Sequence, residues 1–294
     1  MIGDSSAASV RLDTRRQLPA RSWIGLAVMA ISEALMLAEI EPFYSWHTPI
    51  AWTGFILFAD GLVWKRRARS WMNDAPAEFV FLAIVSVPLW IIFELYNKYT
   101  LHNWYYLGLP ESLLIRYIGY AWSFATISPA IFETGDLISS FRVGRHVVHD
   151  AGPRPFTRGQ RICMVAGAAM LLLPIAHPST YLAAPVWLGF IILVDPINAR
   201  AGDESILGDL RNGEYGRLVN LLLSGLVCGL IWECWNYEAG TKWKYNVPIL
   251  PELKVFEMPI LGFAGFPPFA VECFVMYVFV RRRLWRGAPY AISV

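Results

Sequence analysis

Eight stretches of mainly apolar residues constrain this chain more than any other feature. Each is close to the roughly 20 residues a helix needs to cross a bilayer core. They run over 23–40, 46–64, 78–96, 112–134, 162–177, 180–198, 216–235 and 258–282. Short polar loops separate them, and backbone polar groups in lipid must pair internally, so they read as helices rather than core strands. The fifth is short and is expected to be tilted or set deep. Composition agrees: 56% of residues are hydrophobic and 16% are charged, where a soluble domain carries about 25% charged residues. A disordered chain, a secreted disulfide scaffold and most soluble enzymes are thereby excluded. The net charge of +2 provides no global basic field for nucleic acid. Cys163, Cys228, Cys234 and Cys273 all fall inside apolar runs without a C-x-x-C pair, so they read as small packing residues.

Basic residues set an orientation. They cluster before the first span (Arg11, Arg15, Arg16, Arg21) and after the second (Lys65, Arg66, Arg67, Arg69). They recur between the fourth and fifth (Arg142, Arg145, Arg154, Arg158, Arg161), between the sixth and seventh (Arg200, Arg211, Arg217), and after the eighth (Arg281, Arg282, Arg283, Arg286). With eight spans all these loops share one side, which predicts two cytoplasmic termini in a multi-pass inner (cell) membrane protein. The first span carries Glu33 and Glu39 and reads as an anchor, not a cleaved signal. The loops of the other side are 41–45, 97–111, 178–179 and 236–257, of which the two long ones are aromatic. Long loops that keep aromatics tend to carry function.

The chain also repeats itself. Trp52, Gly54, Phe55, Ile56 and Asp60 match Trp187, Gly189, Phe190, Ile191 and Asp195 at an offset of 135. Ile92, Glu94, Asn97, Trp104 and Tyr106 match Ile231, Glu233, Asn236, Trp243 and Tyr245 at an offset of 139. That offset holds for Phe124/Phe263, Pro129/Pro268, Glu133/Glu272 and Arg142/Arg281. A four-residue insertion in the second copy accounts for the change. Four helices per copy return the chain to its starting side. The expected fold is therefore all-α and integral to the membrane, with two parallel four-helix repeats about a pseudo-two-fold axis. The divisions are a cytoplasmic segment 1–22, a first repeat 23–141, a basic linker 142–161, a second repeat 162–282 and a cytoplasmic tail 283–294.

Charged side chains in a bilayer are costly and face the interior, a partner or a cavity. The duplicated acids are thus the candidate catalytic groups: Glu94, Glu233, Glu133 and Glu272. Glu94 and Glu233 sit near outer helix ends. Asn97 and Asn236, three residues on, share a helix face with them and are expected to offer amide hydrogen bonds. Trp104, Tyr106, Trp243 and Tyr245 complete the candidate substrate-binding set. Glu133 and Glu272 precede the first basic residue by nine positions, about 13.5 Å along a helix and near the midplane. Pro129 and Pro268, four residues earlier, are expected to loosen each helix. The alternative for all four acids is interhelical hydrogen bonding. Asp60 and Asp195 are explained by inner-rim helix ends or salt bridges. Glu33 has no acidic counterpart and is also expected to lie deep. The Gly- and Pro-rich run Glu257–Phe269 predicts an irregular, broken helix where a ligand could enter. His146, His149 and Asp150 form an H-x-x-H-D cluster too small to make a metal site by itself. No phosphate-binding, dinucleotide, nucleophile-elbow or haem pattern occurs, so no cofactor is expected.

At Trp232-Glu233 and Gly240-Thr-Lys-Trp243-Lys-Tyr245 the chain resembles the lycopene cyclase domain family over about fifteen residues per copy. Those are small membrane carotenoid cyclases built from fused or paired homologous units. The family's proline with paired glutamates is not reproduced; Pro251-Glu252 and Glu257-Met258-Pro259 are loose counterparts. The resemblance implies redox-neutral acid–base chemistry on an isoprenoid double bond, with a Glu protonating the alkene and aromatic faces stabilising the carbocation. The sequence supports three functions. The first is an enzyme acting on an isoprenoid or other lipid-soluble substrate. The second is a scaffold or accessory subunit with a partner protein or a second copy. The third is a transporter or flippase with its site between the repeats. Membrane lipids are expected partners in each, and nucleic acid in none.

Overall fold

The computed structural model describes residues 16–141 and 157–292. Arg11, Arg15, Arg142, Arg145, Arg154 and the His146, His149, Asp150 cluster lie outside them. In chain order the elements are α1 (Ala20–Leu37), α2 (Phe43–Arg67), the short α3 (Trp71–Asp74) and α4 (Pro76–Tyr96), which continues as a π-helical turn, Asn97–Leu101. Strand β1 (Trp104–Leu107) and α5 (Leu113–Ser140) follow. Then come α6 (Arg158–Ala176), α7 (Ala183–Ala201), the short α8 (Ile206–Arg211) and α9 (Gly216–Glu238). Strands β2 (Lys242–Tyr245), β3 (Lys254–Val255) and β4 (Met258–Pro259) precede a 3₁₀ segment, Ile260–Gly265, and α10 (Phe266–Leu284).

The architecture is all-α. Among the described residues, 6 helical segments are long and apolar enough to cross a membrane: Ala20–Leu37, Pro76–Leu101, Arg158–Ala176, Thr180–Ala201, Gly216–Glu238 and Ile260–Leu284. The long helices α2 and α5 carry more charge. Asp60, Lys65, Arg66 and Arg67 lie on the first, and Arg116, Glu133 and Asp136 on the second.

Local signals explain several helix ends. Thr157 accepts from the Gln160 backbone N–H at 3.2 Å, and Gln160 accepts from the Thr157 N–H at 2.8 Å. This capping box starts α6 at Arg158, before the end of the linker that hydropathy draws at 161. Asp60 and Asp195 serve matching ends. Asp60 accepts from Met72 N at 2.9 Å and Ser70 Oγ at 3.1 Å, at the start of α3. Asp195 accepts from Ile206 N at 2.9 Å and Leu207 N at 2.7 Å, at the start of α8. Asp60 also pairs with Arg21 at 2.6 Å. Both aspartates thus hold helix ends at the rim, as their positions in the sequence imply.

The irregular stretch before α10 is observed, and it moves a boundary. Residues 258–265 are a short strand and a 3₁₀ segment, so the α-helix begins only at Phe266. Pro268 therefore sits in the first turn, where a missing N–H costs nothing, and starts the helix rather than kinking it. Pro129 does lie inside α5. The chain end is also not a free tail: Tyr290 is 5% exposed and Ile292 is fully buried, with Tyr290 packed on Trp71 at 4.3 Å.

Packing runs in matched pairs. α1 lies on α2 and α6 on α7; α5 contacts α2 and α4, and α10 contacts α7 and α9. α5 also meets α9 across the middle. Without a hydrophobic drive between helices in lipid, close approach relies on small residues. A Cβ on Gly25 would strike the Gly54 carbonyl, and one on Gly54 would strike the Gly25 carbonyl. Between α6 and α7, a Cβ on Gly167 would strike the Leu193 N and the Gly189 carbonyl, and one on Gly189 would strike the Leu171 side chain. Gly54→Leu is expected to force α1 off α2 at a cost of about 1–3 kcal/mol or more. Membrane abundance and a detergent melting curve check it, and an unchanged melting point would show the crossing is not tight.

Candidate functional site

The two long aromatic loops meet. β1 pairs with β2 as an antiparallel ribbon in the register Trp104↔Tyr245, Tyr105↔Lys244, Tyr106↔Trp243 and Leu107↔Lys242. An asparagine ties each strand to the helix before it. Asn97 Nδ2 donates to the Trp104 carbonyl at 2.8 Å, and its Oδ1 accepts from Asn103 N at 2.8 Å and Trp104 N at 3.1 Å. Asn236 Nδ2 donates to the Trp243 carbonyl at 2.8 Å, and its Oδ1 accepts from Trp243 N at 2.9 Å. The asparagines are thus spent on backbone, not on the neighbouring glutamates.

Tyrosines and tryptophans hold the glutamates instead. Glu94 Oε1 accepts from Tyr106 OH at 2.6 Å, Trp90 Nε1 at 2.9 Å and Trp104 Nε1 at 3.2 Å. Glu233 Oε1 accepts from Tyr245 OH at 2.6 Å, and Trp243 Nε1 donates to that hydroxyl at 2.7 Å. The residue 139 beyond Trp90 is Gly229, so the second carboxyl lacks the matching indole. Glu233 Oε2 is buried without a hydrogen-bond partner among the described residues. Burial pushes both phenols, Tyr106 and Tyr245, well above 10, and the adjacent carboxylates push the same way. Both remain protonated donors at neutral pH.

Between the ribbon and the helix bundle lies a partly enclosed cavity of about 530 Å³. Helices and loops from both ends of the sequence line it. Seven tryptophans contribute: Trp46, Trp52, Trp90, Trp104, Trp187, Trp232 and Trp243. Tyr106 and Tyr245 present the outer faces of the two acid–phenol pairs. Trp90 and Trp232 meet at 5.9 Å, and Phe93 stacks on Trp187 at 5.1 Å. Gly119, with no atom within 4 Å of a built Cβ, opens onto the space.

Of the residues singled out from sequence, Trp104, Tyr106, Trp243 and Tyr245 line the cavity, and Glu94 and Glu233 stand directly behind it. Glu133 and Glu272 do not join them. Glu133 is fully buried against Asp60 and Asp136, toward the basic end. Glu272 is fully buried beside the Phe190 backbone, and neither of its oxygens has a well-formed hydrogen bond. The two are neither paired with each other nor placed alike. The Glu33 side chain is 45% exposed and lies 3.2 Å from His47 Nε2. Trp46, Trp52, Trp90, Trp187 and Trp232, which also line the cavity, were not singled out as site residues. Among the described residues no group of three or more His, Cys, Asp or Glu could hold a metal. Searches of known protein families, of curated proteins and of solved structures find no match to the chain.

Proposed function

We propose that the chain is an eight-span membrane protein of two parallel four-helix repeats, and that it binds a lipid-soluble, largely hydrocarbon molecule in the cavity between them. The repeat reading rests on exchange symmetry. Replacing each residue of the ribbon by the one 139 away returns the same register, with Tyr105 opposite Lys244 at the centre. The paired helix contacts repeat in the same way, and the Asp60 and Asp195 caps repeat at the earlier offset of 135. On this reading α2 and α5 cross the membrane with their charges turned inward.

The cavity carries the functional reading. Its volume lies in the range of small-molecule sites, about 300–1,000 Å³, and its wall is mainly apolar and rich in tryptophan. Indole faces attract developing positive charge, so the wall suits a carbocation as well as a neutral hydrocarbon. The Glu233–Tyr245 pair is suited to a short relay. With Glu233 protonated, its carboxyl passes a proton to the Tyr245 oxygen as Tyr245 gives its phenolic proton to the alkene, and the carboxylate regains a proton by the same route when the carbocation loses one. This is redox-neutral acid–base chemistry on an isoprenoid alkene, as the resemblance to lycopene cyclase domains implies. An accessory role with no chemistry has one observation in its favour: Glu94, held by three donors, is built as an anchor for the ribbon.

Mild-detergent purification followed by mass spectrometry of co-purifying lipids tests the reading. A stoichiometric isoprenoid or other hydrocarbon-rich lipid is expected. Gly119→Leu is expected to remove it while leaving the fold intact or slightly more stable, since leucine fills open space and favours helix by up to about 1 kcal/mol over glycine. Absence of any such lipid from the parent protein, with tight recovery of another protein, would instead establish the accessory role.

A further inference from the structure

We propose that the cavity takes an amphiphile with an anionic head, a phosphate or a carboxylate, on its hydrocarbon tail; this rests on the ligand-binding reading above and names the class of ligand. The cavity lining contains two cations, Arg116 and Lys242, and no aspartate or glutamate. Both cations stand at the ribbon end, Arg116 in the first turn of α5 and Lys242 at the start of β2. Arg116 Nε and Nη2 donate to the Pro110 carbonyl at 3.1 and 2.8 Å. Lys242 Nζ donates to the Tyr237 carbonyl at 2.7 Å. A carbonyl satisfies N–H groups but brings no countercharge.

Several other buried or half-buried cations are paired with acids, while Arg66 and Arg69, which do not line the cavity, bond the carbonyls of Ser140 and Ala291. Arg21 has Asp60, Arg281 has Glu78 and Glu204, and Lys244, two residues from Lys242, has Glu257 at 3.3 Å. Arg116 and Lys242 form no such ion pair among the described residues. Half-buried positive charge beside a low-dielectric wall projects its field into the cavity. Glu94 and Glu233 lie behind the wall, each hydrogen-bonded to a lining tyrosine. An anionic head therefore has a place at the mouth, with its tail among the tryptophans below.

Seven indoles in the wall make intrinsic fluorescence the readout. The detergent-purified protein is titrated with farnesyl phosphate against farnesol, and with palmitate against hexadecanol. Each anion is expected to bind roughly tenfold or more tightly than its alcohol, the size of one charge-assisted contact. The tighter pair identifies whether the natural tail is isoprenoid or acyl. Arg116→Gln and Lys242→Gln are each expected to lower the anion-to-alcohol ratio several-fold. Arg116→Lys, which keeps the charge but loses the fork on Pro110, is expected to keep the ratio. Equal binding of anion and alcohol overturns the proposal, as does a ratio unmoved in the double Gln variant. A ratio lost equally in Arg116→Lys assigns Arg116 to loop anchoring and also overturns it. Binding of none of the four overturns the ligand-binding reading and this proposal with it.

Discussion

Glu233→Gln is expected to lower turnover of the bound lipid by about 10²–10⁴-fold, the usual worth of a positioned general acid or base. Abundance and melting temperature should stay near those of the parent. Glu94→Gln is expected to do the opposite. Glu94 Oε1 collects three donors, two of them indoles and one the phenol of Tyr106. Removing its charge weakens all three at a cost of about 1–3 kcal/mol, which lowers stability first. Glu233 Oε1 accepts from one phenol, its Oε2 is buried without a well-formed hydrogen bond, and Gly229 stands four residues before it where Glu94 has Trp90. It is therefore free to change protonation state. Tyr245→Phe should reproduce the Glu233→Gln loss, because the relay to the cavity passes through that hydroxyl. Turnover is measured on the lipid identified by mass spectrometry, with melting followed in the same preparations. Equal loss of activity in Glu94→Gln and Glu233→Gln, at equal stability, would make the two copies equivalent and end the assignment.

Arg281→Ala is expected to destabilise the basic end by about 3–5 kcal/mol, because it strands two carboxylates in the interior. Arg281 is 7% exposed. Its Nη2 meets Glu204 Oε2 at 2.6 Å, and its Nη1 meets Glu78 Oε1 at 3.4 Å and the Tyr290 carbonyl at 3.1 Å. Glu78 also accepts from Tyr277 OH at 3.1 Å and Tyr290 N at 2.6 Å, and Glu204 accepts from Ile292 N at 3.0 Å. Tyr290 and Ile292 are thereby sewn to α4, to α10 and to the residue before the cap of α8. Arg282→Ala is the matched control. Its partner Asp203 lies at 2.7 Å, but the arginine side chain is 46% exposed, and an exposed pair contributes about 0–1 kcal/mol. Chemical denaturation in detergent, read through tryptophan emission, should separate the two variants by several kcal/mol. A similar small effect in both would show that the network is dispensable.

Much of the bundle was legible because hydropathy reports one-dimensional facts: how long a segment is and how apolar. The caps Asp60 and Asp195 were legible as helix ends for the same reason, lying just inside a basic loop. The surroundings of the paired acids were not. Glu133 and Glu272 match in sequence, yet one carboxyl lies among acids and the other beside the Phe190 backbone, a difference set by the neighbouring helices and not by the local pattern. The asparagines misled because spacing on a helix face shows which residues are neighbours, not which has the better partner. Asn97 and Asn236 found backbone groups at the strand entry instead. The cavity itself depended on tryptophans from four separate helices, Trp52, Trp90, Trp187 and Trp232, which no local pattern unites. Arg281 looked like a topology signal, and its burial followed only from the fold of the chain end over it.

The antiparallel ribbon has a mechanical consequence. It joins the first half of the chain to the second by main-chain bonds directly over the cavity, and Thr241 Oγ1 adds a bond to the Gly108 carbonyl at 2.7 Å. Prising the halves apart on that side means unzipping a strand pair, which makes the rocking cycle of a carrier expensive. On the ligand-binding proposal, a guest then enters sideways, between helices, with the strand pair left closed.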